Sequence, residues 1–235
     1  MPNNDNKMRY ERKFFISDLT KYEIESIIKL HPFVFSEIYY ERTINNFYLD
    51  SFNMKDYFDN VTGAGDRRKT RIRWYGGILG KIEKSSLELK IKKGSLCNKL
   101  FFPLNSFSLE YGFSISVIRD LFRASEIPDA LRLELECRDI SLFNRYRRKY
   151  YISKDEKYRI TLDTDLEFRE VSCFNNSFVN QSIDRISNIL EIKYDERHES
   201  GVDKVTDYFP FRMTKSSKYI MGIERLNLMK TYSHV

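Results

Sequence analysis

Charged and apolar residues alternate along one segment after another of this chain. In residues 86–92, Glu88, Lys90 and Lys92 share one parity, and Leu87, Leu89 and Ile91 share the other. A period of two puts successive side chains on opposite faces of a strand, so this segment predicts a strand with one charged and one apolar face. The same reading applies to residues 9–16, 71–75, 158–163 and 189–194. Further strands are expected at 44–50, at 145–152, and at 137–143 with 130–135 leading into it. Apolar residues at helical spacing predict helices elsewhere. The first is capped by Ser17 or Asp18 and runs to about residue 30, where His31-Pro32 stops it. Others are expected at 54–61, 114–125, 202–209 and 216–226.

The segment 71–75 carries the sharpest signal. Arg71 and Arg73 point to one side of a strand, while Ile72 and Trp74 point to the other. Two adjacent guanidinium groups repel each other unless an anion or a carboxylate lies between them. The following strand offers Glu88 and Lys90 for cross-strand pairing. One such strand is ordinary, with its charged side to water. Taken together, the strands carry both signs of charge on one face and, Arg12 apart, apolar residues on the other. A closed antiparallel β-barrel of α+β class explains all of them at once, with charged faces lining the lumen and flanking helices outside. Such a lumen is stable only where anions or carboxylates compensate its cations. Arg and Lys at this density suit phosphate, and lumen glutamates suit a divalent ion.

Composition narrows the setting. The chain has 235 residues with 40 Lys and Arg against 34 Asp and Glu, a net charge of +6 that favours an anionic partner. Aromatic residues make up 15%, which favours sheet. Cys97, Cys137 and Cys173 have neither disulfide-framework nor zinc spacing. His31, His198 and His234 are too scattered for a site. No apolar run approaches the roughly 20 residues needed to cross a bilayer, and residues 1–7 lack a signal-peptide core. The expectation is a soluble, cytoplasmic protein of one domain, 1–235, with residues 1–8 a flexible leader. The glycines of loop 62–66 lack the Gly-Lys-Ser/Thr ending of a phosphate-binding P-loop.

The motifs Glu11-Arg12-Lys13, Arg71-Ile72-Arg73-Trp74-Tyr75-Gly76 and Glu88-Leu89-Lys90 come first along the chain. Tyr146-Arg147-Arg148, residues 159–165, Glu191-Ile192-Lys193 and Ser217-Lys218-Tyr219 follow. In that order they resemble the catalytic domain of the vacuolar transporter chaperone (VTC) polyphosphate polymerases, within the triphosphate tunnel metalloenzyme superfamily. The resemblance implies a tunnel that binds ATP and a divalent metal, Mn²⁺ or Mg²⁺, and passes the γ-phosphate to a growing polyphosphate chain. It implies Lys13, Arg71, Arg73, Lys90, Arg148, Arg159 and Lys218 as the phosphate-binding set. Tyr146 and Ser217 are implied as hydrogen-bonding neighbours, and Glu191 as the metal-binding carboxylate. Glu11, Glu88 and Lys193 are possible additions.

Each residue also has a plainer reading. Lys13 pairs with Glu191 or Glu88, and Glu11 and Glu88 act either as metal ligands or as partners of the arginines. Lys218 is a solvated helix residue. Asp163 and Asp165 could bind metal, although Asp165 suits a turn better. Trp74 and most Tyr and Phe belong to the core. Two other functions share the same site: a triphosphatase with water as acceptor, and a non-catalytic polyphosphate-binding module. Nucleic acid is not expected, because the cations alternate into one lumen and do not form a surface stripe.

Overall fold

A computed structural model describes residues 9–93, 96–172, 174–176, 178 and 180–228. The expected leader 1–8, Gly94, Cys173 and His234 lie outside the described residues. Eleven strands and six α-helices follow in order: β1 (Arg9–Ile16), α1 (Lys21–Lys29), β2 (Ser36–Ser51), α2 (Lys55–Val61), β3 (Asp66–Tyr75), β4 (Gly80–Ile82), β5 (Ser85–Lys93), β6 (Leu96–Leu104) and β7 (Phe107–Leu109), then α3 (Ile115–Ala124), α4 (Asp129–Glu136), β8 (Arg138–Ile152), β9 (Tyr158–Arg169), β10 (Gln181–Asp184), β11 (Asn188–Asp195), α5 (Glu199–Thr206) and α6 (Lys218–Arg225).

The main sheet runs β1-β11-β9-β8-β2-β3-β5-β6, with β10 added beside β9. Every pairing in it is antiparallel. Laid flat, β1 and β5 would stand six strand spacings apart, roughly 29 Å. Yet the Lys90 ammonium of β5 reaches the Glu11 carboxylate of β1 at 3.0 Å. The sheet is therefore curled on itself, and its inner face forms a trough.

The expected closed barrel is corrected here. Among the described residues no backbone ladder joins β6 to β1. The middle of the free edge of β1 is taken by another segment: Phe14 bridges Met213, and the Thr214 N–H donates to the Lys13 carbonyl at 2.8 Å. At that point the edge is already hydrogen-bonded and has nothing left to offer a closing strand.

The alternation decides what packs where. On the outer face, Ile72, Trp74, Leu87 and Leu89 join Phe47 and Phe143 in a core that extends to Ile118 and Phe122 of α3. Trp74 is fully buried there, its indole N–H donating to the Gly77 carbonyl at 2.9 Å. Removing such a side chain costs about 3–5 kcal/mol. Further along the outer face, Phe14, Ile160, Leu162, Leu190 and Ile192 pack on Ile24 and Ile28 of α1 and on Val202 and Val205 of α5. A third core lies on the inner face, where Tyr219 and Ile223 of α6 meet Ile44, Tyr48, Leu142 and Phe168. Gly222 permits this approach, since a Cβ there would stand 2.4 Å from Leu142 and 2.6 Å from Phe168. One helix thus fills one end of the trough.

Several local expectations shift. Residues 130–135, expected as strand, lie in α4: Leu131, Leu133 and Leu135 alternate as in a strand, but on the helix Leu131 and Leu135 share one face while Leu133 is exposed on the other, and only Leu135 is buried. The first helix is capped by Thr20, not by Ser17 or Asp18. The Thr20 hydroxyl accepts from the Glu23 N–H while the Glu23 carboxylate accepts from the Thr20 N–H, a capping box. Strand β2 begins eight residues earlier than expected, its first half irregular with register shifts at Glu37, Tyr39 and Arg42. Asp165 does not cap a terminal turn: it sits at a left-handed position within β9, φ 51°, near a register shift opposite Arg145 and Arg147.

Candidate functional site

The trough is lined by alternate residues of six strands. Strand β1 gives Glu11 and Lys13, and β11 gives Glu191 and Lys193. Strand β9 gives Asp163, β8 gives Tyr146 and Arg148, β3 gives Lys69, Arg71 and Arg73, and β5 gives Glu88 and Lys90. Lys99 reaches in from β6, and Ser217 and Lys218 from the start of α6.

Three ion-pair hubs hold these groups. Glu88, buried in the wall, takes Arg71 at 2.6 Å, Lys99 at 3.2 Å and Arg73 at 3.4 Å. Burial alone would raise its carboxyl pKa, but Arg71, Arg73 and Lys99 hold it well below the usual range. Asp163, wholly buried, receives a two-pronged contact from Arg148 at 2.5 and 2.6 Å and the Lys218 ammonium at 2.5 Å. Glu191 sits between Lys13 and Lys193, each at 3.0 Å, with Arg148 at 3.9 Å. Burial again opposes its ionisation, and the lysines with Arg148 overcome it. Arg73 is fixed on three sides: it donates to Asn46 Oδ1 at 3.1 Å, to the Tyr146 hydroxyl at 3.3 Å and to Glu88.

The structure brings together Lys13, Arg71, Arg73, Lys90, Arg148, Lys218, Tyr146, Ser217, Glu191, Glu11, Glu88 and Lys193. Arg159 stays apart. It shares the face, opposite Lys193, but is exposed at the start of β9 with no ion pair among the described residues. Lys13 pairs with Glu191 and Glu11, not with Glu88. Lys218 is not a solvated helix residue: it is buried against Asp163.

Two cations escaped the sequence reading. Lys99 lies on β6, whose 96–104 segment shows no clean alternation. Lys69 continues the Arg71/Arg73 parity one step back, so extending that strand would have found it. Its ammonium bonds the Ser217 hydroxyl at 2.9 Å. Unlike its ion-paired neighbours, it has no carboxylate partner among the described residues. Burial first, then the charges of Lys13, Lys90, Arg67 and Arg71, push its pKa down to about 7.

The trough carboxylates are each paired with two or more cations, so the described residues form no ready-made protein cage for a divalent ion. Among the described residues no three carboxylate, imidazole or thiol groups converge. Glu191 here is an ion-pair hub.

A second concavity, about 910 Å³, lies outside the trough between Phe33, Val34, Lys154, Lys204 and Tyr208. Its lysines are accompanied by Asp155 and Asp207, so it lacks the cationic excess of the trough. Among the described residues no helix is long and apolar enough to cross a membrane.

The curled sheet has counterparts among solved structures. A candidate adenylate cyclase from Bacillus halodurans shares 15% identity at a TM-score of 0.50, covering 93% of this chain and 97% of that one. The PH1819 protein from Pyrococcus horikoshii OT3 shares 11% at 0.49, covering 93% and 99%. A candidate adenylate cyclase from Vibrio parahaemolyticus shares 10% at 0.44, covering 97% and 89%. At 15% identity the Bacillus halodurans structure speaks to fold alone. A search of curated protein sequences gives no match. The model of the VTC domain, however, matches residues 8–227, nearly the whole chain and every strand of the trough. The chain belongs to the VTC domain family.

Proposed function

We propose that this protein is a polyphosphate polymerase that passes the γ-phosphoryl group of ATP to a polyphosphate chain lying in the trough. One observation carries the reading: a wall of fixed Arg and Lys outnumbers its four carboxylates, Glu11, Glu88, Asp163 and Glu191, by roughly two to one. That surplus needs an external polyanion.

Phosphoryl transfer asks the protein for little covalent chemistry. Positioning, and neutralisation of the charge that spreads over the phosphoryl oxygens, do most of the work. Arg71, Arg73 and Arg148 offer planar donor forks, which grip phosphate at two points. Glu88 and Asp163 keep those forks oriented before substrate arrives, so little rearrangement is needed during reaction. The Tyr146 hydroxyl and Ser217 supply neutral hydrogen bonds beside them. A divalent ion, Mn²⁺ or Mg²⁺, comes with the nucleotide as part of the substrate.

The test is incubation of the protein with ATP and Mn²⁺, resolving products on a gel stained for polyphosphate while free phosphate is followed. Long chains accumulating with ADP are expected. Free phosphate without chains would make the protein a triphosphatase with water as acceptor, and binding without turnover would make the trough a receptor.

Lys69 adds a pH dependence. An amine with a pKa near 7 in the empty trough regains its proton when phosphate oxygens surround it. Affinity is then complete below pH 7 and is lost as pH rises, by up to about tenfold per unit. ATP affinity should fall roughly tenfold between pH 7 and 8.5 by calorimetry, and Lys69→Arg should flatten the profile. A wild-type profile as flat as that of the variant would remove Lys69 from the site.

A further inference from the structure

The trough does not end in bare cations. Beyond Arg148, three tyrosines gather around one arginine. Arg42 of β2 is the Cα partner of Arg148 and so shares its inner face. Its guanidinium lies 4.5 Å from the ring centre of Tyr39, 5.7 Å from Tyr150 and 5.8 Å from Tyr75. Tyr39 and Tyr150 meet edge to face at 5.6 Å. Among the described residues Arg42 has no ion pair or side-chain hydrogen bond, so its N–H donors are unspent. Tyr39 and Tyr75 are about half exposed, 50% and 49%.

This group joins the interior without a break. Lys218 stands 4.7 Å from the Tyr146 ring, and Arg148 lies 5.2 Å from Tyr146 and 5.9 Å from Tyr150. Cation and ring therefore alternate from Lys218 out to Tyr39. In the interior the rings are buried and the cations ion-paired. At the mouth the rings are open and the cation is free.

The chemistry of the mouth differs from that of the trough. An aromatic face is the negative side of the ring quadrupole, so it repels phosphate. It attracts flat π systems, and every nucleobase has one. An arginine with free N–H groups adds a stacking plane and donors for ring nitrogens or carbonyls.

We propose that Tyr39, Tyr75 and Arg42 form a nucleobase subsite at the trough mouth, which lets the protein distinguish a nucleoside triphosphate from an inorganic one. Tyr150 stands behind as a wall. The subsite rests on the reading that a triphosphate lies in the trough, with its phosphates reaching inward to Arg148 and its base left outside.

The experiment compares two probes, ATP and inorganic tripolyphosphate, by calorimetry on the wild type, Tyr75→Ala, Tyr39→Ala and Arg42→Ala. A stacked base is worth about 1–3 kcal/mol, so each tyrosine variant should bind ATP roughly 5- to 150-fold more weakly. Tripolyphosphate affinity on the same tyrosine variants should stay within about twofold, while Arg42→Ala should cost ATP more than tripolyphosphate. Tyr75→Phe and Tyr39→Phe keep the ring and should keep ATP affinity. On the wild type, which needs no substitution, saturation transferred from the protein should reach the adenine H2 and H8 protons. Equal losses for both probes, no loss for either, or an adenine that receives no saturation from a protein binding ATP would overturn the subsite alone. Failure of the wild type to bind tripolyphosphate would overturn the trough reading and the subsite with it.

Discussion

Glu88→Gln should lower the unfolding free energy by about 3 kcal/mol in urea denaturation, and tripolyphosphate should restore much of it. The carboxylate is buried and serves Arg71, Arg73 and Lys99 at once. Glutamine keeps the volume and loses the charge, leaving these cations facing one another. Breaking a buried pair by removing one partner costs about 3–5 kcal/mol, because the remaining charge stays desolvated. An entering polyanion supplies the missing negative charge. A ligand at one hundred times its dissociation constant stabilises by about 2.7 kcal/mol, and the variant should gain more from tripolyphosphate than the wild type does. Equal gains would mean that the ligand does not lie beside Glu88.

Arg73→Ala should reduce turnover with ATP by roughly 100- to 1,000-fold, the loss usual when one fixed donor to developing charge is removed. Arg73 does not swing freely, since Asn46, Tyr146 and Glu88 set its plane. Arg73→Lys should recover little of the loss, because an ammonium is a point charge and cannot present two parallel donors. Steady-state kinetics on both variants, with ATP dissociation constants beside them, tests this. An Arg73→Lys enzyme with wild-type turnover would show that charge suffices and the fork does not matter.

Much of this was legible in the sequence because a period-two pattern is local. Arg71, Arg73, Glu88, Lys90, Glu191 and Lys193 each declare their face through their immediate neighbours, and all lie where that parity puts them. The outward packing of Trp74, Leu87 and Leu89 follows from the same rule. What a local pattern cannot carry is long-range. The Ser217-Lys218 segment reads as a helix start, but nothing near it says that the helix lies inside the curl. That placement depends on Gly222 meeting Leu142 and Phe168, partners far away in sequence. The unclosed edge is of the same kind, since it turns on residues 213–214 reaching β1 first. Lys69 lies in residues 66–70, where no apolar alternation marks a strand, and α4 hides behind Leu131, Leu133 and Leu135, whose alternation reads as strand although only Leu131 and Leu135 share a helix face.

The unclosed edge bears on how a long polymer gets in and out. A sealed pipe must be threaded from an end, one unit after another. Here one side wall is held by side chains, the Glu11–Lys90 contact, half exposed at the lysine, and the Lys69–Ser217 bond, and a partly exposed ion pair contributes on the order of 1 kcal/mol. Parting these contacts disrupts no strand ladder. On the polymerase reading proposed above, a polyphosphate is then laid in along its length, as a cable is laid in a gutter, and a finished chain is lifted out sideways without sliding back through the mouth proposed for its nucleotide donor.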